Sequence, residues 1–256
     1  MSAPDETEED FSIKSFVGHL DDLRKTIITS AAFIFCGICI SIPLAPYILS
    51  WLKVPYYQVG LDQVVPLAVN DVGSPLSIAM RIVIWSGLLI SLPFVVLSVG
   101  GFVFPGLKER EKHVVVRGAV ASVILFVLGV WMGYRWTVPT ALTVMNQIGG
   151  WLGTPAQYWK VSGYVSFVLK LLIGFGLTFQ MPIVLVILGN MGIVTSKMLR
   201  DKRRHVAVGL MVLAMFMTPS DPFTMIMMAT PLIGLYEGCI WLIWLREKTK
   251  STESSE

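Results

Sequence analysis

Three long stretches of this sequence, residues 26–52, 82–107 and 171–196, contain no Asp, Glu, Lys or Arg. A helix of about 20 mostly apolar residues, rising about 1.5 Å per residue, crosses the ~30 Å hydrocarbon layer of a bilayer. A helix also satisfies its own backbone hydrogen bonds, which lipid cannot do for it. These stretches therefore predict an all-α, polytopic membrane protein.

The composition agrees with this prediction. Hydrophobic residues make up 54% of the chain and charged residues 14%, whereas a soluble domain has about 25% charged residues. The 256 residues leave room for a single integral membrane domain, with residues 1–12 and 247–256 as flexible cytoplasmic tails. The hydropathy pattern predicts six transmembrane helices over residues 27–49, 76–104, 114–138, 164–191, 206–219 and 223–245.

Lys and Arg are unevenly distributed between the two sides of the predicted spans. The N-terminal segment has three, the loop after the second span four, the loop after the fourth span five and the tail three. The loops on the opposite side have four, which are Lys53, Arg81, Arg135 and Lys160. Short loops rich in Lys and Arg stay in the cytoplasm, so both termini are predicted to be cytoplasmic. The acidic N-terminal residues do not fit a signal or transit peptide, which makes a bacterial inner membrane the simplest location.

The predicted fifth span has 14 residues, or about 21 Å of helix, and we expect both it and the sixth to be short. A turn with two prolines and Asp221 joins them, which favours an antiparallel hairpin. The loops 51–74 and 139–160 are rich in Pro, Gly and aromatic residues, and we expect them to cap the outer face. A ligand site in these loops is the alternative.

No pattern of catalytic or cofactor-binding residues is found in the sequence. His19, His113 and His205 fall near the ends of three different spans, which does not favour a metal cluster, and neither a phosphate loop nor an HExxH motif is present. We therefore expect neither an enzyme nor a cofactor-binding or metal-binding protein. Energy for any transport would come from a partner or from the membrane potential.

Three groups of polar residues have both a binding and a structural interpretation. Acidic groups before the first span and in the loop after the second, including Asp22 and Glu111, lie on a side rich in Lys and Arg. Fixed carboxylates could hold paired guanidinium groups there through bidentate hydrogen bonds. The structural alternatives are a helix N-terminal turn and a solvated loop. Gln180 lies in the middle of the fourth span, where it faces either a partly wet groove or another helix.

Ordered motifs along most of the chain resemble the TatC family, the receptor subunit of the twin-arginine protein translocase. They are HLDDLR (19–24), DVGSP (71–75), FVFPGLKEREK (102–112), SFVLKLLIGFGLTFQMP (166–182), the stretch from MGIV to RDKRRH (191–205), and TPSDPF (218–223) followed by Pro231 and Glu237. The resemblance implies a concave face and binding of twin-arginine signal peptides of folded proteins at the cytoplasmic side. It also implies transport driven by the proton-motive force in a multimeric complex with TatA-like and TatB-like single-span proteins, in contact with membrane lipid and without nucleic acid.

The resemblance also assigns roles to individual residues. The signal-peptide site would comprise Asp22, Leu23, Arg24, Phe102, Pro105 and Glu111. The groove and partner-binding residues would be Gln180, Met215, Thr218, Asp221 and Met225. Three of these depart from the family pattern, because Asp22 and Gln180 stand where Glu is more usual and Met225 stands where Gln is frequent.

Two other classes of protein remain as alternatives. A small-molecule or ion secondary transporter would have charge pairs at the membrane midplane or symmetric broken helices, and neither is apparent in the sequence. A haem-anchoring or other scaffold subunit would need paired histidines in the middle of spans. A crosslinking test with a twin-arginine signal peptide separates both from the translocase receptor.

Overall fold

The computed structural model describes residues 6–69, 72–103, 112–153, 157–190, 193–217 and 222–253. Within these residues the chain forms nine α-helices. They are α1 (Glu6–Gln58), α2 (Ser74–Val103), α3 (Lys112–Met132), α4 (Val138–Trp151), α5 (Val161–Thr178), α6 (Met181–Asn190), α7 (Ser196–Asp201), α8 (Arg203–Met217) and α9 (Pro222–Glu253). A 3-10 turn (Leu61–Gln63) follows α1, and a π-helical turn (Gly133–Thr137) joins α3 to α4.

Four helical segments in the described part of the chain are long and apolar enough to cross a membrane. They are Leu20–Gln58, Ser74–Phe102, Gly118–Trp151 and Val161–Gly189. They coincide with the first four predicted spans, so the predicted polytopic helical fold is confirmed. The count of six spans stays a prediction.

The two helices predicted as the fifth and sixth spans differ in length. Helix α8 has 15 residues, close to the short fifth span that was predicted. Helix α9 has 32 residues and runs past the predicted end of the sixth span at residue 245. Only the apolar part of α9, Ala229–Leu245, is short. The helix continues beyond this part because its polar C-terminal residues also pair with other helices, as described below.

Three prolines lie inside α1, close to where the sequence predicted the end of the first span at residue 49. The helix instead continues to Gln58. Proline has no backbone N–H, so Pro55 leaves the carbonyl of Trp51 without its helical partner. The Tyr134 hydroxyl donates to this carbonyl at 2.7 Å, and its ring stacks on Trp51 with centroids 3.8 Å apart. A neighbouring helix thus supplies the missing bond, which is how membrane helices accommodate proline.

The prediction of a loop over residues 139–160 was wrong for its first half. Residues 138–151 form α4, and α3, the π-helical turn and α4 make one continuous helical segment. Pro139 lies in the first turn of α4, a position where its fixed φ angle and missing N–H suit a helix. The proline and glycine content, which suggested a loop, is therefore compatible with helix here.

An aromatic cluster joins the end of α1 to the π-helical turn and to the start of α5. We call it the aromatic end and define it by Trp51, Tyr56, Tyr134, Trp159 and Tyr164. Tyr56 is 1% exposed, and its ring lies 5.7 Å from that of Tyr164 and 6.2 Å from that of Trp159. The Tyr164 hydroxyl donates to the carbonyl of Leu52 at 2.5 Å. Two short parallel strands, β1 (Leu67–Ala68) and β2 (Trp159–Lys160), pair the loop that follows α1 with the loop that precedes α5. The predicted cap therefore consists of packed aromatic rings and backbone pairing.

Helix α5 lies at the centre of the molecule. In the most apolar 18-residue window of Val161–Gly189, 56% of residues are buried, against 11% in the corresponding window of Leu20–Gln58 in α1. Glycines allow the helices around α5 to approach closely. A Cβ on Gly129 of α3 would lie 2.6 Å from the Phe179 ring, and one on Gly176 of α5 would lie 2.5 Å from the Phe126 ring. Each glycine thus makes room for an aromatic ring of the facing helix.

Candidate functional site

The first motif of the predicted signal-peptide site lies on exposed turns of α1. Asp22, Leu23 and Arg24 are all exposed, and the side chain of Leu23 is 37% exposed. The neighbouring Asp21 is paired with Lys25 at 2.8 Å. The Asp22 carboxylate has no hydrogen bond or ion pair with any residue that the structure describes. Asp22 therefore presents an accessible carboxylate beside one that is already paired.

The packing of α1 on α2 brings this motif towards the second one. The helices are antiparallel, with Phe33 against Phe94 at 5.7 Å between ring centroids. A Cβ on Gly37 would lie 2.4 Å from the backbone oxygen of Gly87, so the backbones nearly touch. The same register, extended towards the N-terminus of α1, places the turn that contains Asp22 level with the C-terminal end of α2. Phe102 lies at that end and is half-buried. Pro105 and Glu111 lie outside the described residues.

Gln180 lies where the predicted fourth span is interrupted. Helix α5 ends at Thr178 and α6 begins at Met181, with Pro182 in its first turn. Gln180 is 2% exposed, and its Oε1 accepts a hydrogen bond of 2.5 Å from the Ser122 hydroxyl. Its Nε2 donates to the Ser122 carbonyl at 3.1 Å. Both ends of the amide are thus paired with one residue of α3.

This geometry differs from the partly wet groove that we predicted at Gln180. The structure has the alternative arrangement, in which the amide joins two helices. The physical reason is that a buried amide is costly unless it is hydrogen-bonded, and Ser122 satisfies it without water. A role of Gln180 in binding stays a prediction.

The predicted partner-binding residues fall on the hairpin of α8 and α9. Met215 is 56% exposed on α8, together with Val208, Val212 and Phe216. Met225 is half-buried and packs against the hydrophobic core. Thr218 and Asp221 lie outside the described residues. The structure thus gives Met215 an accessible position and Met225 an internal one.

Three polar contacts tie α9 to the segment formed by α7 and α8. Arg203 of α8 pairs with Glu237 at 2.7 Å, with both side chains about half exposed. The Tyr236 hydroxyl donates to the carbonyl of Leu199 at 2.9 Å. The Glu247 carboxylate accepts from the backbone N–H of Ser196 at 2.9 Å and from its hydroxyl at 2.5 Å. These bonds anchor the charged segment to the last helix.

The sequence analysis did not predict these partners. Glu237 and Arg203 are 34 positions apart, and Glu247 and Ser196 are 51 positions apart. Ser122 likewise gives no signal, because a lone serine in an apolar helix is common. The one usable clue was the antiparallel hairpin, which places the end of α9 beside the start of α8. Among the residues that the structure describes, no group of three or more His, Cys, Asp or Glu could hold a metal ion.

The chain was compared with known families, proteins and structures. The family profile described as Sec-independent protein translocase protein (TatC) matches residues 18–231. The TatC protein of Synechocystis is 33% identical over 245 residues, which cover 95% of this chain and 93% of that protein. The TatC protein of Aquifex aeolicus is 34% identical over 236 residues, covering 91% and 95%. A crystal structure of a twin-arginine translocase receptor, TatC, aligns with a TM-score of 0.78 and 33% identity, covering 89% and 98%.

The helical fold, the apolar spans and these similarities define a multi-pass membrane protein of the protein-translocation class. The alignments cover nearly the whole length of the Synechocystis and Aquifex aeolicus proteins. The chain belongs to the TatC family and is a core subunit of the Tat protein translocase. The description of the family gives it a role in protein translocation.

Proposed function

We propose that this chain is the receptor of its translocase and binds twin-arginine signal peptides of folded proteins. Its binding residues are Asp22, Leu23, Arg24, Phe102, Pro105 and Glu111. The observation that carries this proposal is the exposed Asp22 carboxylate, which is unpaired among the described residues and lies level with the end of α2. A similar protein of known structure is itself named a twin-arginine translocase receptor.

The chemistry of the ligand fits this end of the molecule. A twin-arginine peptide approaches a surface that already carries many Lys and Arg residues, so nonspecific attraction is weak. A fixed carboxylate can hold one guanidinium through two parallel hydrogen bonds, which favours arginine over lysine. The exposed apolar side chain of Leu23 lies beside it and can contact residues next to the arginine pair. Selectivity therefore comes from a few carboxylates on a basic surface.

The membrane setting of the proposal follows from the distribution of Lys and Arg. Both termini and the binding residues lie on the cytoplasmic side of a bacterial inner membrane. TatA-like and TatB-like single-span proteins join the receptor, and the proton-motive force drives transport. The apolar face of α8, with Met215 and Phe216 exposed, supports docking of a single-span helix there. At 15 residues, α8 is about 22 Å long, short of the ~30 Å hydrocarbon layer, and a companion can fill this deficit.

The test of the receptor proposal compares two adjacent carboxylates. Asp22→Ala should reduce crosslinking of the purified protein to a twin-arginine signal peptide by about tenfold, since a hydrogen bond to a charged group is worth roughly 1.5–3 kcal/mol and this carboxylate is exposed in the free protein. It should also impair export of a twin-arginine reporter in cells. Asp21→Ala is the matched control, because that carboxylate is already paired with Lys25. Glu111→Ala should resemble Asp22→Ala, and normal export in the double variant Asp22→Ala/Glu111→Ala would contradict the assignment.

The partner proposal has its own test. A cysteine replacing Met215 should crosslink to a single-span partner carrying a cysteine in its apolar helix. A cysteine replacing Val120 of α3, which is similarly exposed at 54%, is the control for random collisions within the bilayer. Equal crosslinking at the two positions would contradict docking on α8.

A further inference from the structure

A cleft of about 210 Å³ lies between α8 and α9, at the end of the hairpin that carries the Arg203–Glu237 ion pair. Arg203, Arg204 and Glu237 line its mouth, and Ala207, Leu210 and Ile233 line its walls. Neither the translocase role nor the proposed signal-peptide site uses this cleft. It therefore needs a separate explanation.

The depth of the cleft follows from helix geometry. Arg203 is the first residue of α8, and Leu210 lies seven positions further along, which is about 10 Å at the rise of an α-helix. In the topology proposed above, the charged mouth faces the cytoplasmic surface of the membrane and the apolar walls lie deeper, in the hydrocarbon layer. A ligand that fills the whole cleft has a polar head and an apolar chain.

The mouth of the cleft carries a net positive charge once the Arg203–Glu237 ion pair is taken into account. Arg203 and Glu237 neutralise each other at 2.7 Å. Arg204 is exposed and has no ion pair or hydrogen bond with any other residue in the described part of the chain. The surrounding segment 197–204, which we call the basic rim, adds Lys197, Arg200 and Lys202, all exposed, against one acidic residue, Asp201. Arg204 therefore offers an uncompensated guanidinium directly above the apolar walls.

We propose that this cleft binds an anionic phospholipid, with the phosphate on Arg204 and an acyl chain along Leu210 and Ile233. An arginine guanidinium binds phosphate through two hydrogen bonds, and basic pockets between membrane helices suit anionic headgroups. A zwitterionic lipid fits less well because its own cation meets the basic rim. A free phosphate fits less well because it leaves the apolar walls unfilled. The inference requires only that this end of the hairpin lies at a membrane surface.

The binding of lipid here would also account for the arrangement of the ion pair. Glu237 keeps Arg203 directed across the mouth from α8 to α9, so the two helices stay apart by a fixed distance. Tyr236, which is 4% exposed, forms the floor and is held by its bond to the Leu199 carbonyl. The bonds that shape the cleft thus do not involve Arg204, and its guanidinium stays available to a ligand.

The experiment measures which lipids remain bound to the purified full-length chain. The protein is reconstituted in nanodiscs of phosphatidylcholine and phosphatidylglycerol, transferred to detergent and analysed by native mass spectrometry. The wild type should retain phosphatidylglycerol in preference to phosphatidylcholine. Arg204→Gln should lower the retained phosphatidylglycerol about fivefold, the effect of one basic residue at an anionic surface. Lys197→Gln, which removes a charge from the basic rim outside the cleft, should leave retention unchanged.

A second variant distinguishes a lipid from a free phosphate. Ala207→Leu narrows the apolar part of the cleft without altering Arg204, and it should also release phosphatidylglycerol. Soluble glycerol phosphate should not compete. The proposal is overturned if the wild type shows no preference for phosphatidylglycerol, or if Lys197→Gln matches Arg204→Gln. It is also overturned if Ala207→Leu retains the lipid while glycerol phosphate displaces it. Retention unaffected by either cleft variant would also overturn it, because the retained lipid would then be bound elsewhere.

Discussion

The two ends of the helical bundle use polar groups in opposite ways. At the aromatic end, three phenol hydroxyls lie on buried or stacked rings, and each donates to a backbone carbonyl. Tyr134 bonds to Trp51, Tyr164 bonds to Leu52 and Tyr56 bonds to Leu61. At the basic end, which comprises residues 21–25, 197–205 and 237–248, the charged side chains whose burial the structure describes are exposed or half-exposed.

This contrast indicates that the aromatic end holds the helices together, whereas the basic end is available to bind ligands. Neutral hydroxyls paired with carbonyls can be buried at little cost, so they can hold helices together. Exposed charges contribute little to stability because water and salt screen them, but they stay available to a charged ligand. We therefore expect substitutions at the aromatic end to change the free energy of unfolding, and substitutions at the basic end to change binding.

The largest expected effect tests the aromatic end. Tyr56→Ala should lower the free energy of unfolding by about 3–5 kcal/mol, because it removes a fully buried ring that packs on Tyr164 and Trp159. Denaturant unfolding in detergent micelles measures the change. Tyr57→Ala is the matched control, since the adjacent ring is 53% exposed and should cost much less. Similar losses for both variants would mean that burial does not explain cohesion at this end.

An intermediate effect is expected between the two ends. Gln180→Leu removes both bonds to Ser122 and leaves a serine unpaired, so the free energy of unfolding should fall by about 1–2 kcal/mol. The double variant Gln180→Leu/Ser122→Ala should recover part of this loss, because no polar side chain then stays unpaired. A stability loss with normal export indicates an internal bond alone. Loss of export at unchanged stability would restore the groove interpretation.

A smaller effect isolates one hydroxyl. Tyr164→Phe keeps the ring and removes only the hydrogen bond to Leu52, which should cost about 1 kcal/mol. Thermal unfolding followed by near-ultraviolet circular dichroism detects this shift. The comparison of the two ends predicts that export remains normal. Impaired export in this variant would show that the aromatic end does more than hold helices.

The smallest effect is expected at the basic end. Glu237→Gln breaks the half-exposed pair with Arg203, and the free energy of unfolding should change by about 0–1 kcal/mol. Raising the salt concentration should reduce the difference from the wild type further. A loss of several kcal/mol, insensitive to salt, would contradict the division between the two ends.

The parts of the fold that could be predicted from sequence are those set by hydrophobicity alone. Three charge-free stretches and the hydropathy pattern predicted the four long spans, since a bilayer requires length and an apolar surface. The end of the first span was predicted too early, because α1 continues through Pro55. The Tyr134 hydroxyl bonds to the carbonyl that this proline leaves without a helical partner, and local sequence does not indicate that tertiary contact. The exposed position of the Asp22 motif could be predicted from its local charge. The pairing of Gln180 with Ser122 could not, because it depends on which helices meet and at what rotation.

The bond between Tyr134 and Trp51 also has a consequence for biogenesis. The two residues are 83 positions apart, and a ribosome adds roughly 5–20 residues per second, so α1 emerges several seconds before its partner. During that interval the carbonyl released by Pro55 has no protein donor, and the end of the first helix depends on water or headgroups. Once the third span has been synthesised, the Tyr134 hydroxyl can donate to this carbonyl. The order of synthesis thus gives α1 an unfinished end that only a later helix completes.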